Sequence, residues 1–71
     1  MEHWYRFSTP GLKPLYGFGT LGQAFEFGNL LNRTGDAIYS TKALTDEEAQ
    51  ELRLEDNTEA FSLTLALAQK S

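Results

Sequence analysis

Residues 16–31 read YGFGTLGQAFEFGNLL and are typical of a short strand that turns directly into an amphipathic helix. Thr20 and Gln23 stand at the spacing of a capping box, in which each side chain accepts a hydrogen bond from the other residue's backbone N–H. This pattern predicts a strand over 15–19 and a helix over 21–33.

The apolar positions of this helix repeat with the spacing of one buried face. They fall close to the i, i+3, i+4, i+7 pattern, at Leu21, Ala24, Phe25, Gly28 and Leu31, and Phe27 and Leu30 widen this apolar face. Glycine costs about 1 kcal/mol relative to alanine inside a helix, so we interpret Gly22 and Gly28 as points of close packing. Gly35 is the predicted C-terminal cap.

The turn Gly17–Gly22 spells G-x-G-x-x-G, the string of dinucleotide-binding turns. Three observations oppose that function. Pro14 and the absence of an aliphatic run are unlike a buried nucleotide-binding strand, and no acidic residue ends the segment 37–41 where it would contact a ribose. One such unit is also too small to enclose a dinucleotide. We therefore interpret the glycines as structural, with weak phosphate binding as a minor alternative.

The rest of the chain predicts two further strands and two further helices. Strands are expected at 3–8 and 37–41, and helices at 46–54 and 57–69. Thr45 and Glu48 form a second capping box, and Asp56 with Glu59 resembles a third. Residues 60–70 fit both a strand-like alternation and a helical repeat, and their good helix-forming residues favour a helix.

These elements predict a single small α+β domain over residues 1–71. Its sheet is expected to be mixed and three-stranded, with one crossover helix and two C-terminal helices. The long connection between the second and third strands indicates that they run parallel. A chain of this size forms only one core.

Charge is distributed unevenly along the chain. Residues 1–44 carry four basic and three acidic side chains, whereas residues 45–71 carry two basic and seven acidic ones, and the total is −4. Nucleic-acid affinity comes largely from lysine and arginine on phosphates, so direct nucleic-acid binding is not expected. A partner with a basic surface is the natural complement.

The sequence offers little for catalysis, cofactors or metals. The only histidine, His3, stands next to the N-terminus, and there is no cysteine, so a nucleophilic triad or a thiolate metal site is not expected. The carboxylates match no calcium-loop or zinc pattern. We therefore expect a non-enzymatic protein without cofactor. With no apolar signal core and no stretch of about 18 apolar residues, the sequence predicts a cytoplasmic protein that does not bind membranes.

Two groups of residues are candidates for a partner surface. The first group is the aromatic side chains on the strands, which we expect mainly to fill the core beneath the helices. Any excess would form a partner or self-association surface, including a homodimer. These residues are Trp4, Tyr16, Phe18 and Tyr39. The second group is the acidic run, in which like charges at 47/51 and 51/55 would oppose each other on a helix. The predicted partner-binding residues are Asp46, Glu47, Glu48, Glu51, Glu55 and Asp56.

Three functional hypotheses follow from these patterns. The leading one is a non-enzymatic protein–protein interaction or regulatory module that binds a partner through its acidic helical face. The alternative is a small acidic inhibitor, of the kind that mobile elements encode, which imitates nucleic-acid charge in the groove of a nucleic-acid-handling protein. The third is a weak phosphate or small-ligand binder at Gly17–Gly22. Capping and solubility alone also explain much of the acidic run.

Overall fold

A computed structural model describes residues 1–35 and 37–69, which form a small α+β fold around one mixed sheet. The strands are β1 (His3–Ser8), β2 (Leu15–Gly19), β3 (Ser40–Ala43) and β4 (Phe61–Ser62), and the helices are α1 (Leu21–Thr34), α2 (Asp46–Glu51) and α3 (Leu63–Ala68). A 3-10 turn over Leu54–Asp56 follows α2. The predicted fold class is confirmed.

The sheet has four strands in the order β3-β1-β2-β4, one strand more than predicted. β1 pairs antiparallel with both β2 and β3, and the added edge strand β4 pairs parallel with β2. β2 and β3 therefore run in the same direction, as expected, but β1 lies between them. β1 occupies the position beside β2 where a simple crossover would have placed β3.

β3 begins at Ser40 rather than at the predicted residue 37. The backbone N–H of Tyr39 donates to Asn32 Oδ1 at 2.7 Å. This bond holds Tyr39 beside the last turns of α1, so pairing with β1 starts at the next residue, Ser40.

The main core lies between one face of the sheet and the helices α1 and α3. Its buried members come from β1, α1 and α3, and they are Tyr5, Phe7, Ala24 and Leu63. Leu15, Phe27, Leu31, Tyr39 and Phe61 pack against them while partly exposed. Strand alternation directs Trp4 and Arg6 to the opposite face, where α2 and the 3-10 turn lie over one end.

Helix α1 has the predicted caps and part of the predicted buried face. Thr20 and Gln23 form both bonds of the capping box, and the Gly35 N–H donates to Leu31 O at 3.0 Å. Leu21 and Phe25 were expected inside, yet they are 54% and 57% exposed. The inward positions are Ala24, Phe27, Gly28 and Leu31. This face packs against the sheet and α3, whose Leu63 belongs to the same core, and Gln23 Nε2 donates to Thr64 Oγ1 at 2.9 Å at the exposed edge of the contact.

The acidic segment breaks into shorter elements than predicted. Helix α2 ends at Glu51 rather than at 54, and Arg53 adopts the left-handed conformation, with φ 52° and ψ 46°. A left-handed residue does not have the φ and ψ of a right-handed helix, so α2 cannot continue through Arg53, and the 3-10 turn starts after it. The like-charged residues Glu51 and Glu55 therefore do not share a helix, whereas Glu47 and Glu51 do.

The predicted helix over 57–69 is wrong in its first half. The Glu59 N–H donates to Asn57 Oδ1 at 2.8 Å, forming a turn instead of the expected cap by Asp56 and Glu59. Phe61 and Ser62 then form β4, and Ser62 caps α3 through its bond from the Leu65 N–H. The segment 60–70 thus contains both a strand and a helix; residues 70 and 71 lie outside the described residues.

The glycines divide into packed and open positions. A Cβ at Gly17 would lie 2.8 Å from Leu63 Cδ2, one at Gly19 would lie 2.9 Å from Leu63 Cβ, and one at Gly28 would lie 2.9 Å from Thr41 Oγ1. The structural interpretation of these three is confirmed. At Gly22 the nearest atom would be Thr20 Oγ1 at 3.9 Å, so the expectation of close packing there is wrong.

Candidate functional site: an aromatic groove with acidic walls

A groove of about 370 Å³ lies between the outer face of the sheet and the acidic segment. Two strand aromatics line one side, and α2 with the 3-10 turn lines the other. The lining residues are Trp4, Phe18, Asp46, Ala49, Gln50, Arg53, Leu54, Glu55 and Asp56. Below we call this feature the groove.

The aromatic side of the groove is a pair of rings from neighbouring strands. Trp4 on β1 stands directly opposite Phe18 on β2. Their ring centroids are 5.2 Å apart and the ring planes are tilted by 54°. Both side chains are half-buried, so part of each ring remains available. Aromatic faces of this kind attract cations through the ring quadrupole.

The acidic side is brought over the rings by the end of β3 and by the turn after α2. The Leu44 N–H donates to the Trp4 carbonyl at 2.9 Å, which holds the start of the acidic segment beside β1. Leu54 is almost fully buried and lines the same groove. The left-handed Arg53 changes the direction of the chain between α2 and the 3-10 turn, and both of these elements line the groove beside the rings.

The six predicted partner-binding residues fall into three groups. Asp46, Glu55 and Asp56 line the groove. Glu47 and Glu51 are exposed on α2 and do not line it. Glu48 is engaged inside the protein, because it completes the second capping box with Thr45.

Of the four strand aromatics expected mainly in the core, the structure brings Trp4 and Phe18 to the groove on the opposite face of the sheet. Tyr39 packs against the main core, as expected. Tyr16 stands opposite Arg6, outside the set of residues that line the groove. Strand alternation predicts that Trp4 lies on the face of β1 opposite Tyr5 and Phe7, but the sequence does not give its pairing with Phe18, which depends on strand register. It also missed Arg53, for which the sequence carries no signal.

Glu48 has its pKa lowered below the ordinary value of 4.5. The main cause is the hydrogen bond that its carboxylate accepts from the Thr45 N–H, at 3.1 Å. The positive charge of Lys42, with Nζ 3.5 Å from Glu48 Oε2, acts in the same direction. The charged form of Glu48 is therefore the one that the cap prefers.

Replacing Glu48 with glutamine is expected to reduce the loss of stability in acid. A carboxyl group with a lowered pKa stabilises the fold above its ordinary value of 4.5, and this contribution is lost as the pH falls below that value through the folded-state pKa. Glutamine keeps an acceptor oxygen for the Thr45 N–H but does not titrate. Urea midpoints between about pH 3 and 7 measure the effect.

Glu47→Gln is the matched control, because the Glu47 side chain makes no hydrogen bond within the described residues. Its urea midpoint should fall with decreasing pH as steeply as that of the unaltered protein. An identical fall of the midpoint in Glu48→Gln and in the unaltered protein would contradict the assignment.

Groups of the Gly17–Gly22 turn take part in the cap of α1 and in packing against α3. The Thr20 N–H donates to Gln23 Oε1 at 3.0 Å and the Gln23 N–H donates to Thr20 Oγ1 at 3.2 Å. Leu63 covers Gly17 and Gly19, which are buried. The start of α1 thus uses these groups in its own cap and in packing against α3.

Within residues 1–35 and 37–69, no group of three or more metal-ligating side chains converges in a way that could hold a metal ion. No helix in the same part of the chain combines the length and apolar character needed to cross a bilayer.

No protein-family model matches the sequence. A comparison with curated proteins likewise finds no match.

Proposed function

We propose that this protein is a non-enzymatic interaction module that binds a basic surface of another protein through its acidic segment. The observation that carries the proposal is the groove, where three acidic side chains stand beside an exposed part of the Trp4 and Phe18 rings. Aromatic side chains in partly formed pockets are common anchors of protein interfaces. Charges around them steer the partner and select its sign.

The charge distribution supports the same function. Three carboxylates and one guanidinium line the groove, and Glu47 and Glu51 extend the negative field along α2. Within the described residues, Lys42 and Glu48 form the only ion pair. The three carboxylates of the groove therefore form no ion pair within the described residues, although Arg53 lines the same groove, and they leave it with a net negative charge.

Reversing charge on the acidic segment is expected to weaken partner binding by at least about tenfold, equivalent to about 1.4 kcal/mol. The variant is Glu47→Lys/Glu51→Lys/Glu55→Lys. Affinity capture from the native source with mass spectrometry identifies the partner, and titration of the purified partner measures the dissociation constant. The reason for the loss is like-charge repulsion against a basic surface.

The control is Glu2→Lys/Glu26→Lys/Glu59→Lys, which changes the net charge equally at exposed positions outside the groove. It should change the affinity by less than about threefold, because charges beyond the Debye length are screened at physiological salt. Equal losses in both variants, or no loss in either, would contradict the proposal.

A duplex DNA competitor separates this proposal from the inhibitor that imitates nucleic-acid charge. An imitator occupies a phosphate-binding groove, so DNA should displace it from its partner and binding should fall steeply with salt. An interaction module bound to another basic surface is not displaced by DNA. Displacement would replace the proposal with the inhibitor function.

A further inference from the structure

We infer that the groove binds an arginine side chain of the partner, with the guanidinium against the Trp4 and Phe18 rings and hydrogen-bonded to the carboxylates. This inference rests on the proposed function and specifies the chemistry that the groove recognises. It concerns the groove only, and not the exposed pair Glu47 and Glu51.

The groove combines the two features that a guanidinium uses at once. Its flat face stacks on aromatic rings, and its edge donates hydrogen bonds in a fixed fork that matches carboxylates. The ring pair lines one side of the groove, while Asp46, Glu55 and Asp56 line the other. An ammonium group is a compact charge, and it cannot stack and form a bidentate bond in the same way.

The charge of the groove also favours a cationic occupant. Its three carboxylates come from two separate elements, with Asp46 on α2 and the other two in the 3-10 turn. Arg53 is the only basic residue that lines it, and within the described residues its side chain forms no ion pair. The net charge of the lining therefore remains negative.

The volume of about 370 Å³ suits a side chain together with part of its peptide backbone. Ala49 and Leu54 add apolar surface among the lining residues. The methylene stem of an arginine can cover such surface while its head group reaches the carboxylates. A short peptide with one central arginine is therefore a suitable probe.

The test is an NMR titration with acetyl-Gly-Arg-Gly amide and with its citrulline and lysine counterparts. Trp4 is the only tryptophan, so its indole N–H signal reports on the groove without ambiguity. We expect saturable shifts with the arginine peptide and at least about tenfold weaker binding of the uncharged citrulline peptide. The lysine peptide should bind about threefold more weakly or worse. Equal binding of the arginine and citrulline peptides, or lysine binding as tight as arginine, would overturn the inference.

Matched variants locate the binding. Asp46→Asn/Glu55→Gln/Asp56→Asn should weaken the arginine peptide about tenfold. Glu2→Gln/Glu26→Gln/Glu59→Gln removes the same charge at exposed positions that do not line the groove, and it should change the affinity less than about twofold. Equal effects of the two variants would show attraction by overall charge only, and would overturn the groove as the site.

Two single substitutions add independent readouts. Phe18→Leu keeps apolar volume but removes a ring, and it should weaken the arginine peptide more than the lysine peptide. Arg53→Asn removes the competing charge, and asparagine tolerates the left-handed conformation, so binding should tighten about twofold to threefold. Weaker binding in Arg53→Asn, with the fold intact by circular dichroism, would overturn the charge argument.

The peptide titration does not use the natural partner, so the two proposals can fail separately. If the partner depends on Glu47, Glu51 and Glu55 but no arginine peptide shifts Trp4, the inference fails and the proposed function stands. If the arginine peptide binds in the groove but charge reversal leaves partner binding unchanged, the proposed function fails.

Discussion

Replacing Leu63 with alanine is expected to lower the free energy of unfolding by about 2–5 kcal/mol. Leu63 is fully buried and belongs to the main core with Tyr5, Phe7 and Ala24. Its side chain also fills the space above Gly17 and Gly19, where a Cβ at either position would lie within 3.1 Å of it. Neither glycine has a side chain to move into the cavity, so relaxation there is limited.

Urea unfolding monitored by circular dichroism measures the loss. A domain of this length is stable by only about 4–10 kcal/mol, so the loss in Leu63→Ala is a large fraction of the total stability. Leu65→Ala is the matched control on the same helix, because Leu65 is 64% exposed. It should change stability by less than about 0.5 kcal/mol. Similar losses in the two variants would contradict the assignment of Leu63 as the central packing residue.

Replacing Gly19 with alanine is expected to cost about 1–3 kcal/mol through overpacking. The added Cβ would lie 2.9 Å from Leu63 Cβ. That atom is bonded to the backbone of α3, so it cannot move away by a change of rotamer. The new methyl group would also crowd Gln23 Oε1, which accepts the Thr20 N–H in the capping box. The substitution therefore disturbs a helix cap as well as the contact between β2 and α3.

Gly22→Ala is the control within the same glycine string. The position is exposed and helical, and a Cβ there meets nothing closer than 3.9 Å. Alanine should stabilise the fold by about 0.4–1 kcal/mol, because it reduces the freedom of the unfolded chain. Opposite signs at Gly19 and Gly22 in urea unfolding would support the packing argument, whereas a loss at Gly22 would contradict it.

Features that depend on a few neighbouring residues could be predicted from the sequence. Both capping boxes, the first two strands and the start of each of the first two helices are where the residue patterns place them. A cap needs only the hydrogen bonds between residues three positions apart. Strand alternation likewise places Trp4 and Tyr5 on opposite faces without any knowledge of what covers each face.

Features that depend on distant contacts could not be predicted in this way. Residues 60–70 satisfy both periodicities, and the choice is made by pairing with β2, which takes Phe61 and Ser62 into the sheet before α3 begins. The buried face of α1 likewise depends on packing with α3, whose Leu63 shares the core with Ala24. The end of α2 depends on the left-handed Arg53, a conformation that the surrounding fold imposes on a residue without strong preference for it.

The candidate site divides along the same line. The sequence alone determined the acidic run and the number of aromatic residues on the strands, because charge and composition do not depend on folding. Only the tertiary structure decided that Trp4 and Phe18 stand opposite each other, and that Asp46, Glu55 and Asp56 face the same groove while Glu47 and Glu51 do not. The physical reason is that a groove is formed by strand register and by the turn at Arg53, which bring together residues more than 50 positions apart in the chain.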